Sequence, residues 1–293
     1  MRRPHVLLAL ALTALAGCSA SPPAAPPPPT AAPPAQPDAP PAAAASAPPG
    51  DAVAPAPLSV ASVEVPAALR AVVDAADRAD ADRALDAGRK PAETLAFFGI
   101  QPGMKVAELA AGGGYSAELL ARAVGPGGVV YAQNNRFVLE RFAEKPWSER
   151  LKKPVMKPVV RVDRELDDPL PPEARDLDAV LLVLFYHDTV WMEADRAAMN
   201  RAVFRALKPG GVFAIVDHAG RAGTGVTEVK TLHRIEEKIV REEIERAGFR
   251  LAAEATFLRS PADTRDWNAS PMVAGDKRGT SDRFVLKFVK PGG

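Results

Sequence analysis

Beyond residue 90 the chain alternates between short apolar runs and amphipathic stretches of helical period. The apolar runs at 106–109, 129–132, 158–162, 178–185 and 212–216 read as five strands. Helices are predicted between them over 116–124, 136–144 and 192–207. The run at 178–185 is almost wholly apolar, which suits a parallel strand buried on both faces. A long helix over 228–247 closes at Gly248, and two further strands follow at 249–258 and 283–289. Ahead of the first strand, 66–88 is helical in period but rich in Asp and Arg. A second short helix starts near Pro91 and carries Leu95, Phe97 and Phe98 to a stop at Gly99. Strand–helix alternation predicts an α/β fold built on a doubly wound, mostly parallel sheet, with the last two strands forming an antiparallel edge. Ligands on such sheets bind at the carboxyl ends of the strands.

The pattern breaks at the N-terminus. Met1-Arg-Arg is basic, residues 6–16 are apolar but too few to span a bilayer, and Leu15-Ala-Gly-Cys18 follows directly. This order resembles the lipobox of bacterial lipoproteins. The resemblance implies cleavage before Cys18, lipid attachment to it, and a periplasmic protein anchored to a membrane of the cell envelope. Cys18 is the only cysteine, so no disulfide can form within the chain. Residues 19–57 hold 15 of the 30 prolines, the remainder being mostly alanine and serine, and such a stretch cannot build a core. It reads as an extended tether. The expected organisation is therefore a signal peptide at 1–17, a Pro/Ala-rich tether at 18–57, and one domain at 58–293 with a helical extension over 58–98.

Charge narrows the partners. Setting aside Arg2, Arg3, Asp38 and Asp51, the domain carries 35 basic against 34 acidic residues, a balance that argues against a nucleic-acid partner. Apart from the N-terminal run no stretch is apolar over membrane length, and no Cys/His spacing matches a zinc knuckle. The expected partner is a small molecule, with the membrane reached through the lipid alone.

The richest motif is Val106-Ala-Glu-Leu-Ala-Ala-Gly-Gly-Gly-Tyr115, in which a strand ends in an acid and glycines lead into a helix. Glycines remove the Cβ that would hold a ligand off, and a helix start offers unpaired N–H groups. Written as acid-x-Gly-x-Gly-x-Gly, the pattern places Glu108, Ala110, Gly112 and Gly114, with alanine at the first glycine. A tight βα turn with no ligand would use the same residues. Tyr115, at the mouth of the helix, either closes over a cofactor or packs on the sheet.

Of the four histidines, His5 lies in the signal segment. His187 falls just past the fourth strand, His218 just past the fifth, and His233 early in the next helix, so all three border one crevice. They are the candidate catalytic groups together with Asp188, and Asp188 and Asp217 are placed to orient them. Arg234 reads either as an exposed helical arginine or as a contact for an anionic substrate, and 77–89 either as a solvated charged face, the preferred reading, or as a lid whose charges pair with one another.

The Glu108–Tyr115 turn, Phe185-Tyr-His-Asp188 and Leu207-Lys-Pro-Gly-Gly211, in that order and spacing, resemble a class I S-adenosylmethionine-dependent methyltransferase over roughly 90–290. Asp217-His218 and His233-Arg-Ile235 are similar to elements of an exported subgroup of that family. The resemblance implies a Rossmann-like seven-stranded sheet and S-adenosylmethionine as cofactor. It implies that the glycine turn packs on the methionine part, that Gln133 or Asn134 meets the ribose, and that Tyr186 lies near the adenine or the methyl group. The second strand ends Gln133-Asn-Asn135 where an acid is usual, and an amide makes a weaker bond than a charged group.

Two other functions use the same residues. His187, Asp188, Asp217, His218 and His233 contain enough donors for a mononuclear metal site, which would suit a hydrolase, although no tight ligand motif accompanies them and no metal ligand is assigned. A catalytically silent ligand-binding lipoprotein is the third reading, because S-adenosylmethionine is made in the cytoplasm.

Overall fold

The computed structural model describes Ser59–Val60 and residues 63–292. Cys18, the signal segment and the tether lie outside the described residues. Strand β1 (Ser59–Val60) is followed by helices α1 (Ala67–Val73), α2 (Asp80–Arg89) and α3 (Pro91–Phe98). The predicted helix at 66–88 is thus two helices. Lys90, at φ 43°, turns the chain sharply from α2 into α3, where Pro91 occupies the first turn.

Strand β2 (Lys105–Leu109) leads through the glycine turn into α4 (Tyr115–Val124), and β3 (Val129–Asn134) into α5 (Arg136–Val138), a π turn and α6 (Glu144–Leu151). Then come β4 (Val159–Asp163), β5 (Leu177–Val183), α7 (Tyr186–Trp191), α8 (Arg196–Ala206) and β6 (Leu207–His218). The chain ends with α9 (Val229–Leu232), α10 (Glu237–Arg246), β7 (Arg250–Ala255) and β8 (Arg283–Val289). Seven strands, β2 to β8, form the expected mostly parallel sheet, and β1 adds two residues beside β7, giving the order β1-β7-β8-β6-β5-β2-β3-β4. β8 runs antiparallel to both β6 and β7 and lies between them.

Alternation along each strand divides the core into two layers. Val106, Leu181, Ala214, Val216 and Val285 face α1, α3 and α4. Ala107, Leu109, Leu182, Phe213, Ile215 and Leu286 face α8 and α10. Among the described residues no helix is long and apolar enough to cross a membrane.

Three local expectations are corrected. The predicted helix over 192–207 begins only at Arg196, capped by the Asp195 carboxylate, which accepts from Ala198 N–H. The strand expected over 178–185 stops at Val183 because Leu184 adopts φ 56° and breaks the extended backbone. The long helix over 228–247 is two helices. His233 takes the left-handed conformation at the end of α9, and Ile235 instead pairs with Ala219 beyond β6, its N–H donating to the His218 carbonyl at 3.1 Å. Helical periodicity runs through both pieces, so it could not show where a β-type bridge interrupts them.

Candidate functional site

The carboxyl ends of β2, β3, β5 and β6 open at one rim of the sheet, and the glycine turn and the histidines both lie there. After β2 the backbone passes through three left-handed residues, Ala110 (φ 52°), Gly112 (φ 56°) and Gly114 (φ 84°). They play different parts. A Cβ on Gly112 would meet no atom within 4 Å, so that side of the turn is open. A Cβ on Gly114 would collide with Trp147 and Arg150, so this glycine exists to let α6 approach. Arg150 secures that approach by donating from Nε to the Gly113 carbonyl at 2.6 Å.

Beneath the turn, Glu108 is buried and its Oε2 has no hydrogen-bond partner. Burial pushes its carboxyl up to about 8, only partly offset by a hydrogen bond from Ser116 and the charge of Arg89. Gln133 and Asn134, predicted to face a ribose, are fully buried and turn back onto the glycine turn. Gln133 Oε1 accepts from Ala110 N–H at 3.0 Å. Asn134 Oδ1 accepts from Gly112 N–H at 2.7 Å while its Nδ2 donates to the Gly112 carbonyl at 3.1 Å. An amide can make both bonds of that clamp, whereas an acid could make only one.

Tyr186 also departs from its predicted place. It is fully buried on the α8–α10 side of the sheet, donating to Glu243 at 2.8 Å and accepting from Asn200 at 2.9 Å. Tyr115 packs toward the N-terminal helices, its hydroxyl on Asp86 at 2.6 Å and its ring 4.4 Å from the Arg89 guanidinium. The charges at 77–89 do not form a solvated face, because Arg78 and Asp82 are buried and paired with Asp86 and Arg150 respectively.

The three histidines converge with their acids. The rings of His187 and His233 lie 4.1 Å apart, and those of His187 and His218 5.5 Å apart. Buried Asp217 accepts from the His187 ring at Nδ1 (2.6 Å), from its backbone N–H (2.8 Å) and from His218 N–H (2.7 Å). The His187 Nε2 is left buried without a hydrogen bond, 3.3 Å from Asp188 Oδ1. Asp188 is itself held by Trp191 Nε1–H at 2.6 Å and lies 3.6 Å from His233 Nδ1.

Burial opposes a charge on His187, but the carboxylates of Asp217 and Asp188 outweigh it and hold the ring up to about 10. Burial and then the neighbouring His187 charge push His233 down to about 4. His218, its Nδ1 2.7 Å from Ser281 Oγ, is driven well below the usual histidine range by burial and then by the charges of His187 and Arg283. Arg234, read from sequence as helical, is completely buried, bridged to Asp263 at 2.9 Å and donating to the carbonyls of Ala219 and Trp267.

Sequence reasoning missed Trp191, Ser281, Arg89 and Arg283. The two arginines flank a narrow cavity of about 30 Å³, otherwise lined mainly by apolar residues such as Leu95, Leu119, Leu181 and Val216. Burial lowers both guanidinium groups below the usual arginine range, Arg283 to about 10. No motif marks these residues, since they come from α2 and β8, which are distant in sequence.

A mostly parallel sheet with β8 inserted antiparallel between β6 and β7, and a glycine turn at the end of β2, is a Rossmann-like arrangement of the methyltransferase type. The likeness extends to solved structures. A protein of Galdieria sulphuraria described as a sarcosine dimethylglycine methyltransferase superposes over 75% of this chain and 90% of its own at a TM-score of 0.53 and 18% identity. A protein of Bacillus halodurans described as a methyltransferase does so over 70% and 100% (TM-score 0.51, 17% identity). A chain from the complex of a methyltransferase with its activator in Haloferax volcanii does so over 79% and 100% (0.50, 18%). What they share with this chain is the fold. No family model matches the sequence, and no curated protein matches it.

Proposed function

We propose that the protein is an S-adenosylmethionine-dependent methyltransferase acting on a small molecule. The observation that carries this reading is the open side of Gly112, on a glycine turn at the end of an interior parallel strand, with the unpartnered Glu108 Oε2 beneath it. That is a cradle a Cβ would fill, and the open turn fits a ligand that must approach the backbone. The ribose end fits less well, because Asn134 and Gln133 are spent on the turn itself, so the cofactor is held mainly by Gly112 and its neighbours and binds weakly. When bound, the cofactor would supply an electrophilic methyl group.

The chain's own task is to orient the acceptor and take its proton. Of the three rings, His187 is protonated at neutral pH and His218 is buried against Ser281, which leaves neutral, partly exposed His233 as the proton acceptor.

The N-terminal order from Met1-Arg-Arg to Cys18 supports cleavage before Cys18, lipidation and tethering in the cell envelope as part of the same proposal. Calorimetric titration of the purified protein with S-adenosylmethionine and its demethylated product tests the cofactor reading. Wild type should bind both, and Gly112→Leu, which fills the open side, should bind neither. Absence of heat with wild type, or unchanged binding by the variant, refutes it.

A further inference from the structure

We infer that His187 Nε2, Asp188 Oδ1 and His233 Nδ1 form a binding site for a divalent first-row transition ion of the zinc class. His187 and Asp188 stand in the first turn of α7 and His233 at the end of α9, and one donor atom from each lies within 4.8 Å of the other two. The two nitrogens stand 3.3 and 3.6 Å from the carboxylate oxygen. Ligands bound at about 2.1 Å to one tetrahedral or octahedral ion are themselves about 3.0–3.5 Å apart, a range that the two nitrogen–oxygen separations meet or nearly meet. Two imidazoles and one carboxylate, with other positions left open, make a donor set typical of catalytic zinc and of non-haem iron.

Three features argue that the site is built. The His187 Nε2 is wholly buried without a hydrogen bond, although buried polar atoms are nearly always satisfied, and it lies 3.3 Å from Asp188 Oδ1. Asp217 accepts from Nδ1 of the same ring and keeps a proton there, so Nε2 is the nitrogen that gives up its proton to solvent when an ion binds. Such a carboxylate–histidine pair is the usual support behind a metal ligand. His233 reaches the cluster only because it adopts φ 56°, ψ 47°, a conformation that costs free energy in a residue with a Cβ.

This inference goes beyond the methyltransferase reading and does not depend on it. A ring ligated through Nδ1 cannot also accept a proton at Nε2, so an ion here would replace His233 in handling the acceptor's proton by lowering the pKa of a bound hydroxyl.

The test is calorimetric titration of chelator-stripped protein with Zn2+ alone, without S-adenosylmethionine, so that failure of either reading leaves the other standing. Wild type should take up one ion. His233→Ala and Asp188→Asn, both at partly exposed positions, should weaken binding at least about 100-fold, and the positioning variant Asp217→Asn about 10- to 100-fold. Substitution of Co2+ should give visible bands typical of nitrogen ligation, which are lost in His233→Ala and which report the site even if a buried variant folds poorly. No uptake by wild type, or equal affinity in His233→Ala, overturns the inference.

Discussion

Asp217 holds His187 at two points, accepting from the ring Nδ1 at 2.6 Å and from the backbone N–H at 2.8 Å, with both side chains fully buried. A buried charge with a partner is tolerated, and one without a partner is not. The pair therefore controls how stability depends on pH. The folded-state value of His187, about 10, lies above its ordinary 6.5, so its contribution is complete below pH 6.5 and is lost as pH rises through 10. Thermal melts between pH 6 and 10.5 should show wild type losing stability across that window. Asp217→Asn should be less stable at neutral pH and show a flatter profile, and parallel profiles would disprove the coupling.

Glu108 behaves in the same direction for a different reason. Burial raises its carboxyl to about 8, so the group favours folding at acid pH and works against it progressively from pH 4.5 to 8. Glu108→Gln, which copies the neutral form, should melt higher than wild type at pH 8 by roughly 2–6 °C and hardly differ at pH 5. A variant that is less stable at pH 8 would show that the carboxylate is needed charged.

The two glycines of the turn should separate binding from folding. Gly114→Ala drives a Cβ into Trp147 and Arg150 at φ 84° and should cost about 2–4 kcal/mol in denaturant unfolding. Gly112→Ala meets no neighbour and should cost about 1–2 kcal/mol, the penalty for a left-handed backbone alone. Equal losses would mean that the turn is not shaped as described.

Asn134 clamps Gly112 through both halves of its amide. In Asn134→Asp the oxygen that replaces Nδ2 is repelled by the Gly112 carbonyl, and the freed carboxylate can meet ribose hydroxyls. Titration with S-adenosylmethionine should show affinity rising about 10-fold. Weaker binding would assign the amide clamp itself to the cofactor site.

Arg234 ties the α9–α10 junction to Asp263, Trp267 and Ala219. Arg234→Ala removes the cation paired with the Asp263 carboxylate, which keeps only the backbone N–H groups of Arg265 and Asp282, and should cost about 3–5 kcal/mol. Lysine should not restore stability, because it lacks the planar fork that reaches three partners. Full rescue by lysine would show that only the charge matters.

Most of the fold was legible because burial on both faces leaves unbroken apolar runs such as 178–185, and because Gly112 and Gly114 announce a turn that needs left-handed residues. The rim position of His187 and His218 was legible for the same reason, since each was read just past a strand, and His233 was read early in the helix that follows the second of those strands. The direction of a side chain was not. Leu184 at φ 56° sets Tyr186 into the α8–α10 layer and His187 toward His233, and nothing in the local pattern signals that rotation. Nor could sequence show that Gln133 and Asn134 fold back on the turn, because their partners are 22 and 23 residues away.

Strand, turn and helix types follow from neighbours along the chain, through side-chain period and the freedom of glycine, and those the sequence alone determined. The break at His233, the burial of Arg234 and the meeting of two imidazoles with Asp188 were decided only by tertiary structure. Each depends on contacts between segments that the chain keeps far apart and that only the closed sheet brings together.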